Sequence, residues 1–262
     1  MSAITDRIDA CKAEGRAALV GYLPVGYPDV DTSLEAMRVF VEAGCDIVEV
    51  GPPYSDPVLD GPVIQHAAAI ALEGGVRVDD AFRAVSVVAQ AGAVPVIMAY
   101  ANLMLSRGWE RFATDLVAAG GAGVITPDLT PDASPEWIAA ARAAEVDTIF
   151  LTAPSTTRER MQLTADASRG FVYATSLMGV TGERASVGDA AADVVARTRE
   201  AGAERVCVGL GVSTGRQAAE VARFADGVIV GSAFVKAMGD AGDLKALRVK
   251  VEELAAGVRG EA

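Results

Sequence analysis

Histidine occurs once in the 262 residues, as His66, and lysine only as Lys12, Lys236, Lys245 and Lys250. With a single histidine and no cysteine pair, a histidine-ligated metal site is not expected. No lysine closes an apolar run, which argues against a Schiff-base aldolase. Cys11, Cys45 and Cys207 are odd in number and far apart. They build no disulfide framework and no metal motif, and they fit a reducing, cytoplasmic compartment. Positive charge is also scarce: 23 Lys and Arg stand against 35 Asp and Glu, for a net charge of -12. Such a chain offers no general basic face to nucleic acid or to an anionic membrane. A phosphorylated small molecule stays open to it, because backbone N–H groups at a helix start bind phosphate without lysine or arginine. No apolar run is long enough to cross a bilayer. The greasiest stretch, residues 91–105, is interrupted by Pro95 and Asn102. The first nine residues are amphipathic and have no apolar signal core. What survives these exclusions is acid–base chemistry by carboxyl groups on a phosphorylated substrate.

What is present is a repeat. The chain is 51% hydrophobic and 22% charged, with 5% aromatics. Short continuous apolar runs alternate with amphipathic stretches from end to end. Continuous runs suit strands covered on both faces, as in parallel sheets. Strands are expected over 17–23, 46–51, 94–99, 123–126, 148–151, 171–174, 205–208 and 227–230. Helices are expected over 4–14, 32–43, 63–72, 79–90, 109–119, 135–144, 158–167, 189–201, 215–224 and 234–258, the last broken near Gly239. Asp31 is read as the cap of the helix over 32–43. Eight strand–helix units without a dinucleotide fingerprint predict an α/β fold: a closed (β/α)₈ barrel with an extra N-terminal helix. No linker or composition shift divides it, so residues 1–262 are read as one domain.

The chain is organised around residues 46–62. Ile47, Val48 and Val50 favour a strand, and Gly51-Pro52-Pro53 ends it. Glu49 therefore sits near the carboxyl end of a buried strand. In a barrel that is the catalytic face. A carboxyl walled by Val and Ile is expected to titrate high and to both donate and accept protons. A strand Glu can also point outward to a helix or an arginine. Asp60, on the following loop, reads from spacing alone as helix-start chemistry with Gly61 and Pro62. Ser55-Asp56-Pro57 reads as turn grammar. Glycines recur after the last three strands, in Gly179-Val180-Thr181-Gly182, Gly209-Leu210-Gly211 and Gly231-Ser232. They fit backbone contact to a phosphate, or plain turns. Tyr100 and Tyr173 fit core packing, and His66 a helix surface or core.

The stretch Glu49-Val50-Gly51-x-Pro53-Tyr54-Ser55-Asp56-Pro57-x-x-Asp60-Gly61-Pro62-x-Ile64-Gln65 closely resembles the signature of the tryptophan synthase α subunit. Tyr100-x-Asn102, Pro127-Asp128-Leu129, Tyr173, Gly179-Val180-Thr181-Gly182, Gly209-x-Gly211 and Gly231-Ser232 match in the same order. The resemblance spans nearly the whole chain. It implies a TIM barrel that cleaves indole-3-glycerol phosphate to indole and glyceraldehyde 3-phosphate. It implies Glu49 and Asp60 as catalysts, and Tyr173, Tyr100, Ile64 and Thr181 as substrate-positioning residues. Gly182, Gly211, Gly231 and Ser232 would hold the phosphate. Residues 176–188 would form a closing lid. Pro53, Asp56 and Asp128 would face a partner, the β subunit of an α₂β₂ heterotetramer. It further implies no cofactor in this chain, pyridoxal phosphate belonging to β. Three places depart from the common pattern: Leu177 for an Arg in the lid, Leu59 for an Ala before Asp60, and the strand-one end Gly21-Tyr22-Leu23-Pro24, where many relatives have Phe. Two other readings stand beside this one. One is a barrel that only activates a partner. The other is a phosphate-binding barrel isomerase.

Overall fold

The structure, a computed structural model, describes residues 2–175, 188–209 and 211–261. Its strands are β1 (Ala18–Pro24), β2 (Ile47–Gly51), β3 (Val94–Met98), β4 (Gly123–Ile125), β5 (Asp147–Ile149), β6 (Leu151–Thr152), β7 (Val172–Thr175), β8 (Val206–Gly209) and β9 (Gly227–Val230). They form one sheet in the order β5-β4-β3-β2-β1-β9-β8-β7-β6, and every pairing is parallel. The two ends of that order are neighbours in the chain, separated only by Phe150. Thr126 N–H donates to Ile149 O at 3.2 Å on one side, and Tyr173 N–H to Phe150 O at 3.0 Å on the other. β5 and β6 are thus two pieces of one barrel stave, and the sheet is a nearly closed ring of eight staves. This is the expected (β/α)₈ barrel. Nearly every strand residue is buried, as continuous apolar runs require.

The helices are α1 (Ala3–Ala13), α2 (Val30–Ala43), α3 (Pro62–Glu73), α4 (Val78–Ala91), α5 (Ala101–Arg107), α6 (Trp109–Ala118), α7 (Pro135–Ala143), α8 (Arg158–Ala167), α9 (Gly188–Glu200), α10 (Gly215–Ala222), α11 (Ser232–Met238) and α12 (Leu244–Val258). Asp29, not Asp31, caps α2: its carboxylate accepts from Thr32 N–H at 2.8 Å. The helix therefore begins two residues earlier than its apolar pattern does. α5 falls in a segment with no predicted helix. Its first N–H, on Ala101, is satisfied from outside by Asp128, at 3.0 and 3.1 Å.

α1 is the extra N-terminal helix, and it closes the foot of the barrel. Ile4 is fully buried there. A side chain on Gly123 would stand 2.7 Å from Ile4 Cδ1, and one on Gly170 3.1 Å from Ile4 Cγ2. Arg205 anchors the helix through Asp9, at 2.8 and 2.7 Å. Three more acids sit at strand feet. Asp46 before β2 takes both Arg16 guanidinium nitrogens at 2.7 and 2.9 Å and Leu19 N–H at 2.9 Å. Asp226 before β9 takes Arg199 and Val206 N–H, each at 2.8 Å. Asp147 opens β5 with no hydrogen bond to either carboxylate oxygen among the described residues. Arg169 Nε lies 3.5 Å from its Oδ1.

Candidate active site

Glu49 and Tyr22 are partners in the β1–β2 register. Residues paired across parallel strands share a face, and this pair shares the face on which Tyr173 also lies. Glu49 is 1% exposed, and its Oε2 has no hydrogen-bond partner among the described residues. Burial pushes its carboxyl up to about 8, and the nearby charge of Asp60 pushes the same way. A buried carboxyl with no donor is stable only when neutral, so Glu49 carries a proton at neutral pH.

Asp60 arrives from the loop that Gly51 and the two prolines begin. It too is buried, at 5% exposure. The loop is pinned on both sides of it. Gln65 Nε2 donates to Asp60 O at 2.8 Å, and Leu59 N–H donates to the Tyr100 hydroxyl at 3.2 Å. Burial raises the Asp60 carboxyl to about 6, and the Tyr100 hydroxyl facing it pulls it down. Asp60 is therefore largely ionised at pH 7 while Glu49 is not. Their environments drive two carboxyls apart, and that separation makes an acid–base pair.

Tyrosines line the space around them. Tyr22, Tyr173 and Tyr100 are buried, and all three titrate high, first through burial and then through the acids. Each of the three feels Asp60, and Tyr22 and Tyr173 also feel Glu49. The five residues thus share one barrel mouth. Tyr54 from the loop stacks on Tyr100, with ring centroids 5.0 Å apart. Ile64 is buried on the first turn of α3, just beyond Asp60.

The family model described as tryptophan synthase alpha chain matches residues 8–260. The chain belongs to the tryptophan synthase alpha chain family.

The tryptophan synthase alpha chain of Mycobacterium ulcerans (strain Agy99) is 59% identical over 251 residues, covering 96% of this chain and 93% of that one. A tryptophan synthase structure from Mycobacterium tuberculosis superposes with a TM-score of 0.94 at 52% identity, over 98% of both chains. A tryptophan synthase complex from Pyrococcus furiosus gives 0.83 at 31% identity, over 91% of this chain and 98% of the other.

Other positions expected of a tryptophan synthase alpha chain are distributed as follows. Gly211, Gly231 and Ser232 follow β8 and β9 and are partly exposed at the barrel mouth. Thr181, Gly182, Leu177 and the lid over 176–187 lie outside the described residues, as does Leu210. Pro53, Asp56 and Asp128 lie on loops at the strand ends. Asp56 and Asp128 are exposed, and Val58, two residues after Asp56, is 73% exposed. Asp128 also has the internal task of holding the start of α5. His66 is on the surface, with Nε2 3.1 Å from the Asp240 carboxylate. Among the described residues no group of histidine, cysteine and acidic side chains could hold a metal, and no helix is long and apolar enough to cross a membrane.

The acids at the strand feet escaped sequence reading. Their signal was an aspartate directly before an apolar strand: Asp46-Ile47-Val48, Asp147-Thr148-Ile149 and Asp226-Gly227-Val228. They lie at the end of the barrel that serves stability, opposite the reacting groups.

Proposed function

We infer that the chain is the lyase subunit of a tryptophan synthase. It cleaves indole-3-glycerol phosphate to indole and glyceraldehyde 3-phosphate, by carboxyl acid–base catalysis. The supporting observation is the pair of buried carboxyls at one mouth, one raised to about 8 and the other to about 6.

The reaction breaks a carbon–carbon bond, and the indole ring itself can take up the electrons. Protonated Glu49 delivers its proton to ring C3, while ionised Asp60 takes the N1 proton. The product is an indolenine, whose C=N bond is the electron sink. Glu49, now a carboxylate, accepts the proton of the side-chain hydroxyl. The C–C bond breaks, a carbonyl forms on the glycerol fragment, and the electron pair returns to the ring. Asp60 gives its proton back to N1, so both acids end as they began. A carboxyl that cycles between acid and base needs a pKa near the working pH, and burial supplies it to Glu49. A group that must accept from N1 needs to be ionised, and Tyr100 favours that state of Asp60.

Tyr173, Tyr100, Ile64 and Thr181 position the substrate. Gly182, Gly211, Gly231 and Ser232 hold the phosphate through backbone N–H groups and the serine hydroxyl, at the loops where barrels commonly bind phosphate. Residues 176–188 close over the bound ester and keep water from the proton transfers. No cofactor takes part in this chain's steps. The partner is the β subunit of an α₂β₂ heterotetramer, which carries pyridoxal phosphate and joins indole to serine. Pro53, Asp56 and Asp128 face it. The compartment is the cytoplasm, and residues 1–262 form one domain.

The test is indole release from indole-3-glycerol phosphate by wild type, Glu49→Gln and Asp60→Asn, with and without β. Both variants are expected to lose at least about 10³-fold in kcat while still binding β. Wild-type turnover by Glu49→Gln would remove it from the mechanism.

A further inference from the structure

Helix α12 lays one face on the start of α10. Lys250, Glu253 and Gly257 fall on that face at three- and four-residue spacing. At Gly257 the two backbones nearly touch: a side chain there would stand 2.3 Å from Gly215 O. One turn earlier, Glu253 Oε1 accepts from Gly215 N–H at 2.9 Å, and Lys250 Nζ donates to Glu253 Oε2 at 2.6 Å. Lys250 Nζ also reaches Ser213 O at 3.4 Å. Burial pushes the Glu253 carboxyl up, but Lys250 and Gly215 N–H outweigh it and hold the group below its usual range.

The turn held in this way, residues 211–215, carries the chain from β8 into α10. Its later N–H groups are all engaged. Ser213 and Thr214 N–H donate to Gln217 Oε1 at 2.8 and 3.3 Å, and Gly215 N–H donates to Glu253. The two earlier ones are not: no acceptor among the described residues meets the N–H of Gly211 or of Val212. Gly211 stands in the left-handed region at φ 82°, and Val212 is buried. A buried N–H without an acceptor is uncommon and costs free energy. Successive N–H groups at a left-handed turn form a concavity suited to an anion. This one follows β8, where barrels commonly bind phosphate.

We propose that Glu253 is a positioning residue for the cleavage: from α12 it fixes the turn over 211–215, so that the N–H groups of Gly211 and Val212 are presented to the substrate phosphate. The proposal rests on the reading that this turn holds the phosphate. Glu253 itself touches no substrate. It acts on the ester end, at a different strand end from Glu49 and Asp60. Its effect therefore falls on affinity and not on the proton transfers. Lys250 keeps the Glu253 carboxylate turned to Gly215.

The experiment is steady-state cleavage of indole-3-glycerol phosphate by wild type, Glu253→Ala and Glu253→Gln in the complex with β. Each is inhibited in turn by inorganic phosphate and by indole-3-glycerol, which lacks the phosphate. In Glu253→Ala, KM and the inhibition constant of inorganic phosphate should both rise about fivefold, while kcat and the inhibition constant of indole-3-glycerol stay within about twofold. Glu253→Gln keeps an oxygen to accept from Gly215 N–H and should recover most of the loss. Lys250→Met leaves Glu253 in place and should raise the phosphate constant about twofold, which keeps the test open if the alanine variant is unstable. Unchanged phosphate inhibition in both Glu253→Ala and Lys250→Met overturns the proposal. So does a glutamine variant as weak as the alanine one, or an equal rise in the two inhibition constants, which a general loosening of the mouth would give. Failure of inorganic phosphate to compete with the substrate in wild type would instead overturn the reading of the phosphate site on which the proposal stands.

Discussion

The hydroxyl of Tyr173 on β7 fills the space that a side chain on Gly209, at the end of neighbouring β8, would need. The ring reaches across the strand end, and the missing Cβ is what lets it lie there. Gly209→Ala therefore forces the ring to move in a wall that packs without slack. Its cost should be about 2 kcal/mol of stability and about 10²-fold in kcat/KM. Thermal denaturation and steady-state indole release measure the two. Undisturbed activity would show that the position of Tyr173 does not matter to the reaction.

The two carboxyls predict a bell-shaped profile. On the proposed mechanism, cleavage needs Asp60 ionised and Glu49 protonated. kcat/KM should rise with pH as Asp60 ionises near 6 and fall as Glu49 loses its proton near 8. An alkaline limb absent below pH 9 would contradict a protonated Glu49 as the working acid.

Glu49 should also cost stability. Its folded pKa lies above its unfolded one, so the unfolded state releases the proton first as pH rises. Stability is then fully present below about 4.5 and is lost progressively up to about 8. Glu49→Gln cannot ionise, so it should be more stable than wild type by roughly 4 kcal/mol at pH 8 and about equal at pH 4.5. Urea denaturation at the two pH values checks this. A variant that gains nothing at pH 8 would mean that Glu49 is ionised and paired.

The foot of the barrel gives the opposite sign. Burial pushes Asp46 up, but the Arg16 guanidinium and Leu19 N–H outweigh it and hold the carboxyl below its usual range. Its stabilisation is present above about 3.8 and is lost as pH falls through the lowered folded value. Arg16→Ala leaves a buried carboxylate without its cation and should cost about 3 kcal/mol at pH 7. The catalytic constants should stay within about twofold, because the pair lies at the far end from the mouth. A large fall in kcat with an unchanged melting temperature would refute a purely structural role.

On the loop proposed to face the partner, Val58→Asp should leave the isolated chain's melting temperature unchanged. If the proposed partner face extends to this exposed apolar side chain, the charge should weaken assembly with β at least about tenfold. Calorimetric titration of β into the variant gives the answer, and wild-type affinity would exclude Val58 from the contact.

The barrel was legible because its signal is repetitive. Each buried stave is a continuous apolar run, and the eight predicted runs correspond to the observed staves. The departures have local causes. α5 was missed because Asp128, 27 residues downstream, supplies its cap, and no window around Tyr100 contains it. The break at Phe150 was missed because a strand that switches partners between β4 and β7 keeps an unbroken apolar sequence. Glu49 could be placed because an acid inside a strand is conspicuous. Asp60 could not be told from a helix-start residue by spacing, and the resemblance alone raised it. Its burial beside Tyr100 depends on contacts 40 residues apart, which no local pattern encodes. The place of Tyr22 at the end of β1 depends on Gly51 and Gly231, two glycines distant in sequence that both meet its ring, and no local pattern carries that.

The α1 helix makes the barrel a blind well. Among the described residues, Ile4 is seated against the positions of Gly123 and Gly170 and fills the bottom. Whatever enters must turn and depart by the same rim. Indole made at the carboxyls can therefore reach a second enzyme only if that enzyme sits astride the doorway without sealing it against the next ester.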